Sequence, residues 1–373
     1  MTKGTETPSE LREFRDAATG TRVLQVTSHA GSINHATYFL QSSFTPDGAT
    51  MLFISNRTGG WQLFAVTEFP HGTVRQLTEG APIHPFSPAI HPDGRRVFFV
   101  RGAAIWWIDL ATLAETCVVD FGTGSMGEPS LNRAGEWIVA AIKKDGQSGL
   151  AVGRADGNNW NIIPYPRTVI HPQFHPNESE WIEFAGDPAP RMHRVKRDGS
   201  ALECLHQHGN DYFIVHETFL GMTGEIVYTV WPHELRVMNW NTREHRTIAS
   251  FNAWHITPNR AGTKILCDTN HPDDGIFLVD VATGQRRLIC ESKASNGGSQ
   301  WKTSRYALAE DFAAARSGAK ATGTLSWMEA GTDTVYGPQW THPHPSFSHD
   351  EKSVVFASDR SGTTQVYVAE ITA

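Results

Sequence analysis

Seven copies of one short pattern run along the 373-residue chain and limit the folds open to it. Each copy is an apolar run, a turn and a second apolar run, as in "SPAIHPDGRRVFFV" at 87–100. Asp-Gly between two apolar runs is typical of a hairpin, because glycine tolerates the positive φ of the turn. Most copies lie roughly 40 residues apart, the length of a four-stranded propeller blade. The pattern predicts an all-β, seven-bladed β-propeller with copies at 42–55, 87–100, 128–141, 171–184, 216–229, 254–267 and 344–357.

The two ends of the chain predict how the ring of blades closes. The last copy ends in "TQVYVAEITA" after its third strand, whereas "DAATGTRVLQVT" at 16–27 resembles a fourth strand without a blade. Strands from both termini often complete one blade, which removes the open edge of the ring. We therefore expect a single propeller domain over 1–373, with 16–27 as the closing strand. The spacing before the last copy is about double the others, so 291–338 is expected to be an insertion.

Composition and charge exclude several classes of function. The net charge is −7 and no basic run stands out, so no nucleic-acid partner is expected. No apolar stretch of about 18 residues is present, so no membrane partner is expected. The four cysteines include no CxxC pair, which predicts buried thiols in a reducing compartment. With a polar amino-terminal segment that lacks the apolar core of a secretory signal, these features predict a cytoplasmic location and leave the oligomeric state open.

Polar residues occupy positions where the innermost strands should be apolar. In each copy, the residue seven positions before the last residue of the turn dipeptide should line the central channel. Three of the seven residues in this row are histidines, and His216 lies one residue outside it. The predicted row is Gln41, Ser87, Glu128, His171, Glu217, His255 and His344.

The segment "QWTHPHPSF" predicts a metal site beside this row. His342 lies two residues before His344, so both side chains project to one face of an extended chain. With Gln339 and His255 from the neighbouring copy, they would offer three imidazoles and an amide oxygen. Such a set suits Mn²⁺, Fe²⁺, Ni²⁺ or Zn²⁺ better than Ca²⁺. The alternative is that these histidines cap strands and bond to backbone carbonyls.

Several segments resemble one known family in order along the chain. "QWTHPHPSFSHDEKSVVFASD" at 339–359 resembles the carboxy-terminal signature of the oligogalacturonate lyases, polysaccharide lyase family 22. Its Gln-x-x-His-x-His motif is the strongest point of the resemblance, which spans nearly the whole chain. Weaker likeness extends over 34–53, 191–200, 215–228 and 254–262.

This resemblance implies a function and a set of site residues. It implies a Mn²⁺-dependent β-elimination that cleaves short oligogalacturonides, acidic oligosaccharides, into 4,5-unsaturated uronate products during intracellular pectin breakdown. The implied metal ligands are His255, Gln339, His342 and His344. The implied Brønsted base is His216 and the implied charge-stabilising residue is Arg191. Candidate sugar contacts are His35, Tyr38 and His171, although a core position is the favoured alternative for Tyr38.

The chemistry explains why these residue types would be needed. Elimination begins with removal of a weakly acidic C5 proton beside a carboxylate, and a divalent cation on that carboxylate neutralises the charge that develops. A neutral histidine is a suitable base near pH 7, and an arginine stays protonated there.

Two other functions are open to a propeller of this kind. A non-catalytic module resembling the TolB-like interaction propellers would bind protein at the channel mouth, but TolB works in the periplasm and this chain shows no export signal. A peptidase-associated propeller would need a nucleophile elbow, and the chain contains no Gly-x-Ser-x-Gly motif.

Overall fold

A seven-bladed propeller is the architecture of the chain, as the repeat predicts. The computed structural model describes residues 1–187, 189–209, 211–270, 272–297 and 338–372. Within these ranges, thirty strands form seven sheets, and the other regular element is a 3-10 turn over Gln339–Thr341. No helix of the described residues is long and apolar enough to cross a bilayer. Most of the predicted insertion, residues 298–337, lies outside the described residues.

Blades 2 to 6 each contain four antiparallel strands that follow one another from the innermost to the outermost position. Blade 2 contains β8 (Ala89–Ile90), β9 (Arg96–Arg101), β10 (Ala104–Asp109) and β11 (Glu115–Asp120). Blade 3 contains β12 (Ser125–Leu131), β13 (Trp137–Lys144), β14 (Gln147–Arg154) and β15 (Asn161–Tyr165). Blade 4 contains β16 (Thr168–Phe174), β17 (Trp181–Asp187), β18 (Met192–Lys196) and β19 (Glu203–Cys204). Blade 5 contains β20 (Ile214–Phe219), β21 (Ile226–Val230), β22 (Glu234–Met238) and β23 (His245–Ala249). Blade 6 contains β24 (Ala253–Pro258), β25 (Lys264–Thr269), β26 (Ile276–Asp280) and β27 (Arg286–Cys290).

The amino-terminal segment closes the ring between blades 7 and 1. In blade 7, β3 (Arg22–Gln25) pairs with β30 (Gln365–Glu370), with Val23 opposite Ala369, which confirms the predicted closing strand. Two further short strands extend the closure beyond the prediction: β2 (Arg12–Arg15) pairs with β3 at the edge of blade 7, and β1 (Glu6–Thr7) pairs with β7 (Val74–Gln76) in blade 1. Blade 7 thus contains β28 (Ser346–Phe347), β29 (Ser353–Ser358), β30 (Gln365–Glu370), β3 and β2 (Arg12–Arg15). Blade 1 contains β4 (Asn34–His35), β5 (Met51–Ser55), β6 (Gln62–Val66), β7 (Val74–Gln76) and β1 (Glu6–Thr7).

Apolar packing between neighbouring blades forms the core. Strand β5 shows why its sequence is apolar throughout rather than alternating. Phe53 packs against blade 7, whereas Leu52 and Ile54 on the opposite face pack against blade 2. Because both faces of a central strand are covered by neighbouring blades, every side chain along β5 is buried. Each of the seven blade interfaces has one such cluster.

Replacement of Leu24 by alanine should test the closing strand. Leu24 is 6% exposed in the cluster between blades 7 and 1. Its truncation leaves a cavity, so the free energy of unfolding should fall by about 2–5 kcal/mol in urea titrations. The matched control is Leu202→Ala, because Leu202 is 49% exposed and its truncation should cost less than about 0.5 kcal/mol. Equal losses in the two variants would contradict closure by β3.

Candidate active site

Four histidines from consecutive blades lie in a row at the centre of the ring. In each of these blades, a backbone N–H just after the first strand donates a hydrogen bond across the hairpin that leads to the second strand. The histidine lies four residues before the residue that donates this bond. The ring centroids of His171 and His216 are 5.9 Å apart, those of His216 and His255 are 4.4 Å apart, and those of His255 and His344 are 3.9 Å apart. The imidazoles therefore form a continuous chain from blade 4 to blade 7, and all are buried.

One member of the predicted row was wrong. The alignment placed Glu217 in the row and His216 outside it, whereas the structure places His216 at the position equivalent to His171. The hairpin of blade 5 has the same length as those of blades 2 and 3, but Gly224 lies one residue later in it than Gly94 or Gly135 in theirs. Alignment on the glycine therefore displaced blade 5 by one residue.

Backbone irregularities accompany these histidines. A β-bulge interrupts the register of β16, β20 and β24 where the row crosses them. His171, His216 and His344 have φ values of 54°, 57° and 46°. Positive φ is uncommon for residues other than glycine, and bulges re-aim side chains. Such strained positions cluster at functional sites, so this row is the strongest candidate site on the chain.

Two aromatic residues of blade 1 occupy the space beside the row. The Phe39 ring centroid lies 5.4 Å from those of both His216 and His255. The Tyr38 hydroxyl lies 2.9 Å from His171 Nε2. Both aromatic side chains are buried in a central apolar cluster with Trp254. Tyr38 thus has the core position that the sequence left open as its alternative, and it orients His171.

His35 also packs against aromatic side chains. Its ring packs 5.0 Å from Phe86 and 5.4 Å from Trp61, between the centroids. Its Nδ1 lies 2.8 Å from the carbonyl oxygen of Ala36. Burial lowers the pKa of His35 to about 4, so its ring is neutral at pH 7.

The His-x-His segment joins the row from blade 7. The His342 ring centroid lies 5.6 Å from that of His255 and 6.0 Å from that of His344. His342 Nε2 lies 3.1 Å from the carbonyl oxygen of Gly297. The three predicted imidazole ligands therefore come together. Gln339 begins the 3-10 turn just before them, and its backbone carbonyl accepts a hydrogen bond from His342 N–H at 3.1 Å.

A carboxylate that the sequence analysis missed holds His255 in place. Asp268 Oδ1 accepts the His255 backbone N–H at 2.6 Å, and Oδ2 lies 2.7 Å from His255 Nδ1. Burial raises the pKa of Asp268 to about 8, although hydrogen bonds from the backbone of His255 and His344 partly oppose this shift. The only sequence signal was an acidic residue within the otherwise apolar run "ILCD" of β25.

Arg191 lies in a buried ionic network between blades 4 and 5. Its Nε and Nη2 lie 2.7 and 3.0 Å from the two carboxylate oxygens of Glu217, and Nη1 lies 3.2 Å from Asp187 Oδ1. Glu217 Oε2 is also 3.6 Å from His171 Nδ1. Burial acts to raise the pKa of Glu217, but Arg191 and His171 hold it well below its ordinary value. The guanidinium is thus fixed by two carboxylates, one of which also approaches the histidine row.

Burial and neighbouring groups keep three of the four imidazoles in the row neutral. Burial is the largest cause that lowers the pKa of His216, His255 and His344 well below the ordinary value. Neighbouring imidazoles lower these pKa values further, and the Arg191 charge adds to the effect at His216. At pH 7 the three rings therefore carry lone pairs that can bind a metal or accept a proton.

The donor chemistry of the cluster fits a divalent transition metal. In the described part of the chain, no group of three or more His, Cys, Asp or Glu side chains is already arranged as a metal site. Neutral imidazoles are nonetheless the ligands such metals prefer, and His344 Nε2 is buried without a hydrogen-bond partner among the described residues. The contacts of His255 with a carboxylate and of His342 with a backbone carbonyl are those that commonly orient metal-binding histidines.

Comparisons with known proteins agree with the motifs. A family model described as oligogalacturonate lyase matches residues 1–139. An oligogalacturonide lyase from Pectobacterium atrosepticum and an oligogalacturonate lyase from Dickeya dadantii are each 23% identical to the chain, with 100% of this chain and 98% of each relative covered. A solved oligogalacturonate lyase in complex with manganese has a TM-score of 0.82 at 21% identity, and the match covers 100% of this chain and 99% of that one. These comparisons confirm the resemblance to the oligogalacturonate lyases that the sequence motifs predicted.

Proposed function

We propose that this protein is a metal-dependent oligogalacturonate lyase that cleaves short oligogalacturonides or related uronides by β-elimination. The observation that carries the proposal is the convergence of His216, His255, His342 and His344 at the centre of the ring. An interaction module has no chemical need for four closely packed, mostly neutral imidazoles, two of them on residues with positive φ. A cytoplasmic location stays a prediction.

The proposed metal is Mn²⁺, held by His255, His342, His344 and Gln339. When bound, it would supply positive charge that stabilises the anion formed beside the uronate carboxylate. The fit rests on the imidazole donors, since the structure relates Gln339 to this cluster through its backbone. Another divalent transition metal would satisfy the same donor set.

The reaction itself needs a base and a nearby positive charge. We propose that His216 removes the C5 proton of the uronate, because its ring is neutral at pH 7 and its Nδ1 has no hydrogen-bond partner among the described residues. The C5–H electron pair then forms the C4–C5 double bond as the C4–O bond breaks, and the departing oxygen takes a proton. The products are a 4,5-unsaturated uronate and a shortened saccharide.

Arg191 is proposed to stabilise charge at the reacting centre. Its charge lowers the pKa of His216, so the guanidinium acts on the proposed base. The ion pairs with Glu217 and Asp187 hold the guanidinium in position, and it stays protonated.

Contact of His35, Tyr38 and His171 with the sugar also stays a prediction, and all three side chains are buried.

Turnover of di- and trigalacturonate would test the proposed function. With Mn²⁺ added, we expect a steady rise in the ultraviolet absorbance of the unsaturated product, because elimination creates a conjugated double bond. Protein treated with a chelator should lose the activity, and added Mn²⁺ should restore it. Purified protein that binds no divalent metal and leaves both substrates intact would support an interaction module instead.

Two single variants should separate metal binding from proton removal. His342→Ala removes a proposed ligand, so both Mn²⁺ binding and turnover should be lost. His216→Ala removes the proposed base, so Mn²⁺ affinity should remain while the rate falls by about 10²–10⁴-fold. Calorimetric titration with Mn²⁺ and the absorbance assay measure the two effects on the same samples. Full metal binding by His342→Ala would contradict the ligand set, and an unchanged rate in His216→Ala would place the base elsewhere.

A further inference from the structure

Asp268 is a buried carboxyl group whose two oxygens both contact one residue. It lies on β25, the second strand of blade 6, and its side chain is 0% exposed. Oδ1 accepts the His255 backbone N–H, and Oδ2 lies 2.7 Å from His255 Nδ1. Burial of a carboxyl group is costly unless its oxygens are hydrogen-bonded, and here each oxygen has a bond with His255.

These two contacts determine which nitrogen of His255 can bind a metal. With Nδ1 bonded to Oδ2, Nε2 is the ring nitrogen left for a metal. One proton is shared along the Nδ1–Oδ2 contact, and Nε2 carries a lone pair only when that proton lies on Nδ1. A carboxyl group permits this tautomer because Oδ2 can act as an acceptor.

We infer that Asp268 is a positioning residue that orients His255 and permits the tautomer that binds the metal through Nε2. This inference rests on the proposed function and adds to it a residue that does not itself touch metal or substrate. Asp268 also receives a hydrogen bond from the backbone of His344, so one carboxyl group connects the two histidines whose ring centroids are 3.9 Å apart.

An asparagine at this position should reverse the tautomer. The His255 backbone N–H can only donate, so the amide oxygen of Asp268→Asn must face it. The amide NH₂ then faces Nδ1 and donates to it, which places the ring proton on Nε2 and removes the lone pair that a metal needs. Alanine imposes no such tautomer, although it removes more of the side chain.

The relative Mn²⁺ affinities of Asp268→Asn and Asp268→Ala therefore test the inference. We expect Mn²⁺ to bind Asp268→Asn about 10- to 100-fold more weakly than wild type, and more weakly than Asp268→Ala. A purely structural role predicts the reverse order, because asparagine preserves the shape of aspartate. Calorimetric titration with Mn²⁺ measures the affinities. Nitrogen-15 NMR of the metal-free proteins reports the tautomer, with the His255 proton expected on Nε2 in Asp268→Asn.

Asp280→Asn provides the matched control in the same blade. Asp280 lies on β26, where it forms a surface ion pair with Lys264, so this variant should keep wild-type Mn²⁺ affinity. Asp268→Asn with wild-type affinity, with tighter binding than Asp268→Ala, or with the His255 proton on Nδ1 would overturn the inference. Wild-type protein that neither binds Mn²⁺ nor cleaves trigalacturonate would overturn the proposed function as well, so the two failures are distinguishable.

Discussion

The pairing of β3 with β30 is the contact that closes the ring around the candidate site. It joins residues from the two ends of the chain and brings blade 7 against blade 1. His342 and His344 precede the first strand of blade 7, whereas Phe39 comes from blade 1 and His255 from blade 6. The histidines come from consecutive blades, but Phe39 reaches His216 and His255 from blade 1, at the other end of the chain. Ring closure therefore brings the aromatic residues of blade 1 beside the histidine row.

Buried charge is confined to one side of this centre. Arg191 is paired with Glu217 and Asp187 between blades 4 and 5, which limits the cost of burying it. Toward blades 6 and 7 the rings of His255 and His344 are neutral, because burial disfavours their protonation. His216 lies between the two regions, and both His255 and Arg191 lower its pKa. The centre therefore has an ion-pair network around Arg191 on one side and neutral imidazole lone pairs on the other.

The repeat predicted the architecture because a blade-length period and hairpin turns are local features. Strands β1 and β2 escaped prediction because they are short and largely exposed, and the pairing of β1 with β7 joins distant segments. The row was predictable wherever the last residue of the turn dipeptide holds the same place in its hairpin, and the prediction failed at His216 because Gly224 does not. The Arg191–Glu217 ion pair joins two different blades, so no spacing in the sequence predicts it. The Asp268 contact depends on a bulge, which alters the register that alternation alone would suggest.

That bulge explains why an acidic residue lies within an apolar strand. The register between β24 and β25 shifts between Ala253 and Ile256, so Trp254 and His255 together face Asp268. A bulge leaves a backbone group outside the ladder, and a buried unpaired N–H is unfavourable. Asp268 Oδ1 takes the place of the missing acceptor for His255, and Glu128 Oε1 does the same for His171 across blades at 2.9 Å. In blade 6, the carboxyl group that stabilises the bulged strand is therefore also the group that contacts the His255 ring.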